Sequence, residues 1–121
     1  MASTLKNKSK KSTASSIENM VYERQSTICK AFASPIRLRI LDMVAVGECQ
    51  VGDIQQKLGI SKPNLSQHLK ILRSAGIIAT RRESQAIFCS LAIPEVKQAC
   101  QLLRKVLIAQ IDDVKKMIAS A

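Results

Sequence analysis

Between Lys62 and Lys70 the chain sets Lys62, Asn64, Ser66, Gln67, His68 and Lys70 around three leucines, Leu65, Leu69 and Leu72, spaced by four and three residues. On a helix that spacing turns the leucines to one side and the polar set to the other. Side-chain amides can pair with adenine N6 and N7, a hydroxyl with either kind of base edge, and an ammonium with guanine or a phosphate. The outward face therefore carries the groups that read a major groove. Taken alone it would be an ordinary solvated face. Its surroundings weigh for nucleic acid, because Lys57, Lys62, Lys70, Arg73, Arg81 and Arg82 fall in a stretch with no acidic residue. Arg81 and Arg82 are placed to grip phosphate or a minor groove, with pairing of one of them to Glu83 as the alternative. His68, the single histidine, lies at the flank of the leucine stripe, which suits a hydrogen-bonded structural role or a phosphate contact better than catalysis or metal ligation.

Thiols are the other reactive groups. Cys29, Cys49, Cys89 and Cys100 are scattered without a C-x-x-C pair, and in the cytosol such thiols are reduced rather than joined as staples. Free cysteines are often small buried hydrophobes, whereas Cys49, beside Gly47 and Glu48, is expected to be the exposed one. Enzyme chemistry has little to work with: the chain holds one histidine, no phosphate-binding glycine loop and no paired carboxylates with a Cys or Ser motif.

The elements that must carry these residues follow from local signals. Ile17, Met20, Val21, Ile28, Ala31 and Phe32 recur at helical spacing, and Ser34-Pro35 ends that helix and caps the next. Ile36, Ile40, Leu41 and Val44 form the second buried stripe, stopped by Gly47. Val51, Ile54 and Leu58, then Gly59-Ile60-Ser61, then Leu65, Leu69 and Leu72 read as a helix-turn-helix. Gly59 supplies the left-handed residue, Ile60 plugs the angle, Ser61 caps the second helix and Pro63 falls inside its first turn. Ile77 to Arg82 and Ala86 to Leu91, around Glu83-Ser84-Gln85, read as a β-hairpin, or wing. Pro94 opens a long helix with Val96, Cys100, Leu103, Leu107, Ile111, Val114 and Ile118 inward. That stripe is longer than one small domain can cover, so a second copy is the expected partner.

The class expected is therefore mainly α with a small β-hairpin: a winged helix-turn-helix, homodimeric through its first and last helices. Residues 1–15, rich in Ser and Lys, are expected to be a disordered basic tail, and residues 16–119 the DNA-binding and dimerisation domain. The 121 residues are 46% hydrophobic, 2% aromatic and without Trp, which favours an aliphatic helical core, and the net charge of +10 favours a polyanionic partner. No apolar run reaches the roughly 20 residues of a membrane span and no signal peptide is evident, so a cytoplasmic location is expected.

The strings A-S-P-I-R-L-R-I-L at Ala33 to Leu41, V-G-D-I-Q-Q-K-L-G-I-S-K-P-N-L-S-Q-H-L-K-I-L-R-S-A-G at Val51 to Gly76 and I-F-C-S-L at Ile87 to Leu91 resemble the ArsR/SmtB family of bacterial winged-helix repressors. The resemblance covers about Ile17 to Ile118. It implies a symmetric dimer on an inverted-repeat operator in double-stranded DNA, released by an effector, with no cofactor required for DNA binding. Many relatives bind metal through a Cys-x-Cys at the start of the third helix. Here the matching run is E-C-Q-V-G-D-I, with Gln50 and Gly52 at those two positions. A second family site needs Asp and His on the last helix, which Asp112 and Asp113 cannot complete with only His68, so the metal, if any, is unknown. The chain looks closer to persulfide-responsive members, whose cysteines on the second and last helices correspond here to Asp42 and Ile108. Cys49 and Cys100 remain as effector-sensing candidates, for a soft ion such as arsenite or for oxidation. Two other readings stay open: a winged helix used only for protein contact, which would show apolar residues on the recognition face, and a constitutive DNA binder without effector.

Overall fold

A computed structural model describes the backbone of residues 2–120 and the side chains of residues 13–120. Five helices and three strands follow in the order α1 (Ala2–Phe32), α2 (Pro35–Val46), β1 (Cys49–Gln50), α3 (Val51–Leu58), α4 (Lys62–Ser74), β2 (Ile78–Glu83), β3 (Ala86–Leu91) and α5 (Glu95–Ser120). The order matches the winged helix-turn-helix expectation, with one strand more. No helix among the described residues is long and apolar enough to cross a membrane.

Helix boundaries obey local chemistry. The Ser34 hydroxyl accepts from the Arg37 amide at 3.3 Å and Pro35 occupies the first turn of α2. The Ser61 hydroxyl does the same for the Asn64 amide at 3.3 Å. Each cap satisfies an amide that the helix itself leaves without a partner. Between α3 and α4, Gly59 adopts φ 64° and its amide closes α3 onto the Gln55 carbonyl at 2.9 Å. A side chain there would be strained, so glycine fixes the angle between the two helices.

The core is small and aliphatic. Ile40, Leu41 and Val44 from α2, Ile54 from α3, and Leu65, Leu69 and Leu72 from α4 pack on Ile77, Ile78, Cys89, Val96 and Ala31. Ile60 lies against the same cluster, in the angle of the turn. Full burial of such side chains contributes about 1.5–3 kcal/mol each, and this sets the inward direction of α4 and hence its outward one.

Three differences from the sequence expectation matter for function. Residues 2–15 have helical backbone continuous with α1, where the composition predicts a disordered tail. Residues 1–33 contain neither Gly nor Pro, so nothing interrupts the hydrogen-bond ladder. The side chains of Lys6, Lys8, Lys10 and Lys11 lie outside the described residues. Next, the hairpin turn is shorter than expected: Glu83 pairs with Ala86, leaving Ser84 (φ 55°) and Gln85 as the loop. Finally, β1 adds to the hairpin, giving an antiparallel sheet in the order β1-β3-β2 with Cys49 opposite Cys89 and Gln50 opposite Phe88.

Candidate nucleic-acid interface

With Leu65, Leu69 and Leu72 in the core, α4 presents Lys62, Asn64, Ser66, Gln67 and Lys70 on its exposed side. Among the described residues none of these five side chains has a hydrogen-bond or ion-pair partner. A row of unpaired donors and acceptors on a rigid, capped helix is a surface whose polar groups are still hydrated and available to a ligand. Lys62, Ser66 and Arg73, spaced by four and seven residues, share the side of α4 that faces the hairpin. There they line a cleft of 360 Å³ with Gln55, Thr80 and Gln85. Gln55 and Thr80 were not singled out from the sequence, and Arg73 entered there only as a member of the basic stretch. Helical spacing from Lys62 reaches Arg73, whereas the other two enter only through the packing of α3 and β2 against α4.

His68 is half-buried at the edge of α4, and its Nδ1 lies 3.2 Å from an Arg37 guanidinium nitrogen. Arg37 also donates to the Ala31 carbonyl at 2.8 Å and the Lys30 carbonyl at 3.1 Å, so one side chain ties the end of α1 to α4. An imidazole that accepts at Nδ1 is neutral and carries its proton on Nε2. Burial, and after it the Arg37 charge, hold the His68 pKa below its ordinary 6.5. The unfolded chain therefore takes up the proton first as pH falls. The stabilisation tied to neutral His68 is complete above about pH 6.5 and is lost as pH drops through the lower folded value. His68→Gln is expected to flatten that part of the stability profile below about pH 7, measured as the difference in denaturation midpoints from the parent protein. Parallel profiles would remove His68 from the fold's proton linkage.

The two wing arginines differ. The Arg81 guanidinium donates to both Glu48 carboxylate oxygens, at 2.6 Å in the shortest contact, and to Glu83 at 2.8 Å. It also sits 4.5 Å above the centre of the Phe88 ring. Bonding to Arg81 lowers the Glu48 pKa, and Glu48 followed by Glu83 raises that of Arg81. Arg81 is thus occupied in joining the hairpin to the residue before β1, the pairing with Glu83 that the sequence left as an alternative. Arg82 is exposed and makes no ion pair among the described residues.

The thiols are also distributed otherwise than expected. Cys29, on α1, is the exposed one. Cys49 is partly buried because it is in a strand and not a turn, its Sγ within reach of the Met43 carbonyl at 3.4 Å and the Gly47 carbonyl at 3.3 Å. Cys89 is fully buried. Cys100 is half-buried on α5 beside a cavity of 270 Å³ lined by Asp42, Val46 and Arg104. Its thiol is raised by burial and then by Asp42, with Arg104 opposing. Asp42 binds Arg104 at 2.6 Å and so links α2 to α5 through charge. Cys49 and Cys100 are not brought together by the fold, since the residue opposite Cys49 is Cys89. Among the described residues no three His, Cys, Asp or Glu side chains converge as a metal site.

Residues 34–80 match the family model described as bacterial regulatory protein, arsR family. The transcriptional activator HlyU of Vibrio cholerae is 41% identical over 78 residues, 64% of this chain and 72% of that protein. The chain belongs to the ArsR family. Its fold agrees with that of solved members: HlyU superposes with a TM-score of 0.65 at 38% identity, over 70% of this chain and 92% of the other. A homodimeric winged helix-turn-helix DNA-binding domain from Mycobacterium bovis gives 0.73 at 27% identity, over 79% and 89%. The biofilm growth-associated repressor of Agrobacterium fabrum is 40% identical over 68% of this chain and 70% of that one. As an ArsR-family protein the chain is a DNA-binding transcriptional regulator and not an enzyme.

Proposed function

We propose that two copies of this ArsR-family chain pair through α1 and α5, sit on an inverted-repeat operator as a repressor, and are released when an effector acts on cysteine thiols. The observation that carries the DNA part is the exposed, capped and unpartnered polar face of α4. In this reading Asn64 and Gln67 address base edges. Lys62, Ser66, Lys70 and Arg82 hold the backbone, with the outward Nε2–H of His68 as a further phosphate donor. Arg81 shapes the wing through Glu48 and does not grip DNA. Residues 16–119 form the DNA-binding and dimerisation unit, with residues 1–15 as a basic extension.

Pairing is supported by what one chain leaves uncovered. Of α5's 26 residues only Val96 is buried, while Leu103, Leu107, Ile111, Val114 and Ile118, with Ile17, Met20, Val21 and Ile28 of α1, remain exposed. The Mycobacterium bovis relative is a homodimer, and a twofold pair presents two α4 helices to half-sites one helical turn or a multiple apart. Repression is supported by the Agrobacterium relative's role. For the thiol part, Cys100 lies where α5 meets α2, and Cys49 lies just ahead of α3.

Reading and gripping separate experimentally. Gln67→Ala or Asn64→Ala is expected to reduce discrimination between operator and random duplex by about 1–3 kcal/mol per contact. Arg82→Ala is expected to weaken both duplexes alike. Fluorescence anisotropy with both duplexes measures this, and equal behaviour of all three variants would refute the assignment.

A further inference from the structure

The register of the small sheet puts two thiols face to face. Cys49 of β1 is the direct antiparallel partner of Cys89 in β3, and directly opposed residues point to the same side of a sheet. Their Cα atoms are then about 4.5–5.5 Å apart, inside the range of about 4.4–6.8 Å that a disulfide spans. Both are free thiols. From the register and burial of this pair we infer that Cys49 and Cys89 are an oxidisable dithiol, which a hydroperoxide converts to a disulfide at the root of the wing. This deepens the thiol-sensing reading above, on which it rests for its role, by naming the group with which Cys49 reacts.

The two thiols have different parts. Cys49 is the more accessible. Cys89 is fully buried, and its thiol is pushed up to about 11 by burial, then by Cys49 and Glu48. Cys49, as thiolate, attacks the hydroperoxide. The O–O bond breaks, the distal oxygen goes to sulfur as a sulfenic acid, and an alcohol, or water from hydrogen peroxide, leaves. Cys89 then gives up its proton and attacks the Cys49 sulfur, the S–O bond breaks and water departs. Two thiols and one hydroperoxide yield one disulfide, one alcohol and one water. The product is neutral, and that suits the apolar cluster in which Cys89 sits. An anionic bis-thiolate complex of a monovalent ion would place uncompensated charge there.

The bond would join three things. Cys49-Gln50 runs directly into α3, the first helix of the helix-turn-helix. Glu48 next to it holds Arg81, whose guanidinium covers Phe88, the neighbour of Cys89. A link at this point therefore couples the thiol state to the carriage of the wing and of Arg82.

All four cysteines fall in separate tryptic peptides, with Cys49 in residues 40–57 and Cys89 in residues 83–97. The full chain treated with hydrogen peroxide is expected to yield these two peptides joined and lighter by two hydrogens, in wild type and in the Cys29→Ser/Cys100→Ser double variant. Cys49→Ser or Cys89→Ala should abolish the joined species. Because the cysteines lie 40 residues apart, closing the loop is expected to raise the unfolding midpoint by about 10 °C, reversed by a dithiol reductant. A bond between any other pair of peptides overturns the inference, as does Cys49 oxidised to a sulfinic acid with Cys89 still free to alkylate after denaturation. Operator binding by the same samples scores the other reading: protein that forms the bond without loss of operator affinity refutes release through these thiols, and leaves the dithiol standing.

Discussion

Leu107→Glu is expected to turn the dimer into monomers and to lower operator affinity by about 100- to 10,000-fold, the range over which joining two binding units multiplies affinity. Leu107 is 54% exposed in the single chain, so glutamate there stays hydrated and costs the monomer fold little. In a twofold pair the substitution acts twice. Each copy loses apolar cover and brings a carboxylate toward its mate in a place water has left, where an unpaired charge is costly. Sedimentation equilibrium gives the mass and circular dichroism the helix content. A folded monomer with weak binding to a full operator is the expected result, and a variant that remains dimeric at wild-type affinity would move the interface away from α5.

The second large effect is on salt. Lys62, Lys70 and Arg82 are exposed and make no ion pair among the described residues, so a dimer would neutralise about six phosphates, giving a slope near −5 in log affinity against log salt. Raising salt from about 50 to 200 mM should then weaken binding about a thousandfold. Arg82→Ala should reduce the steepness by about two, one for each protomer. Arg81→Ala should change the steepness far less, because its charge already faces Glu48 and Glu83. A flat response in an anisotropy titration, or equal effects of the two arginines, would contradict this picture.

Much of the fold was legible because it is written in neighbouring residues. Ser34-Pro35, Gly59 and Ser61 announce boundaries through bonds spanning three or four positions, and the leucines of α4 declare its inward side. What was not legible depends on residues far apart in the chain. The pairing of Arg81 with Glu48 joins positions separated by 33 residues and that of Arg37 with His68 by 31; no local periodicity encodes either. Strand β1 is two residues long, too short for alternation, and exists because β3 offers it an edge. Missing that strand is what made Cys49 read as an exposed turn residue. On the recognition face, Asn64, Gln67 and Lys70 could be placed from helical geometry, while the cleft of Arg73 with Thr80 needed the hairpin folded back on α4.

The division of labour along α4 bears on how such a regulator can change over generations. Its anchoring residues, Leu65, Leu69 and Leu72, are fixed by the core, whereas Asn64, Ser66 and Gln67 between them touch no other described side chain through a polar bond. Substitutions at those three positions need not disturb packing, so a duplicated copy could drift to a different target sequence without passing through an unstable intermediate. In the proposed reading target choice and foldedness are separate heritable traits on this helix, and libraries varied only at the outward positions should yield mostly folded proteins with diverging targets.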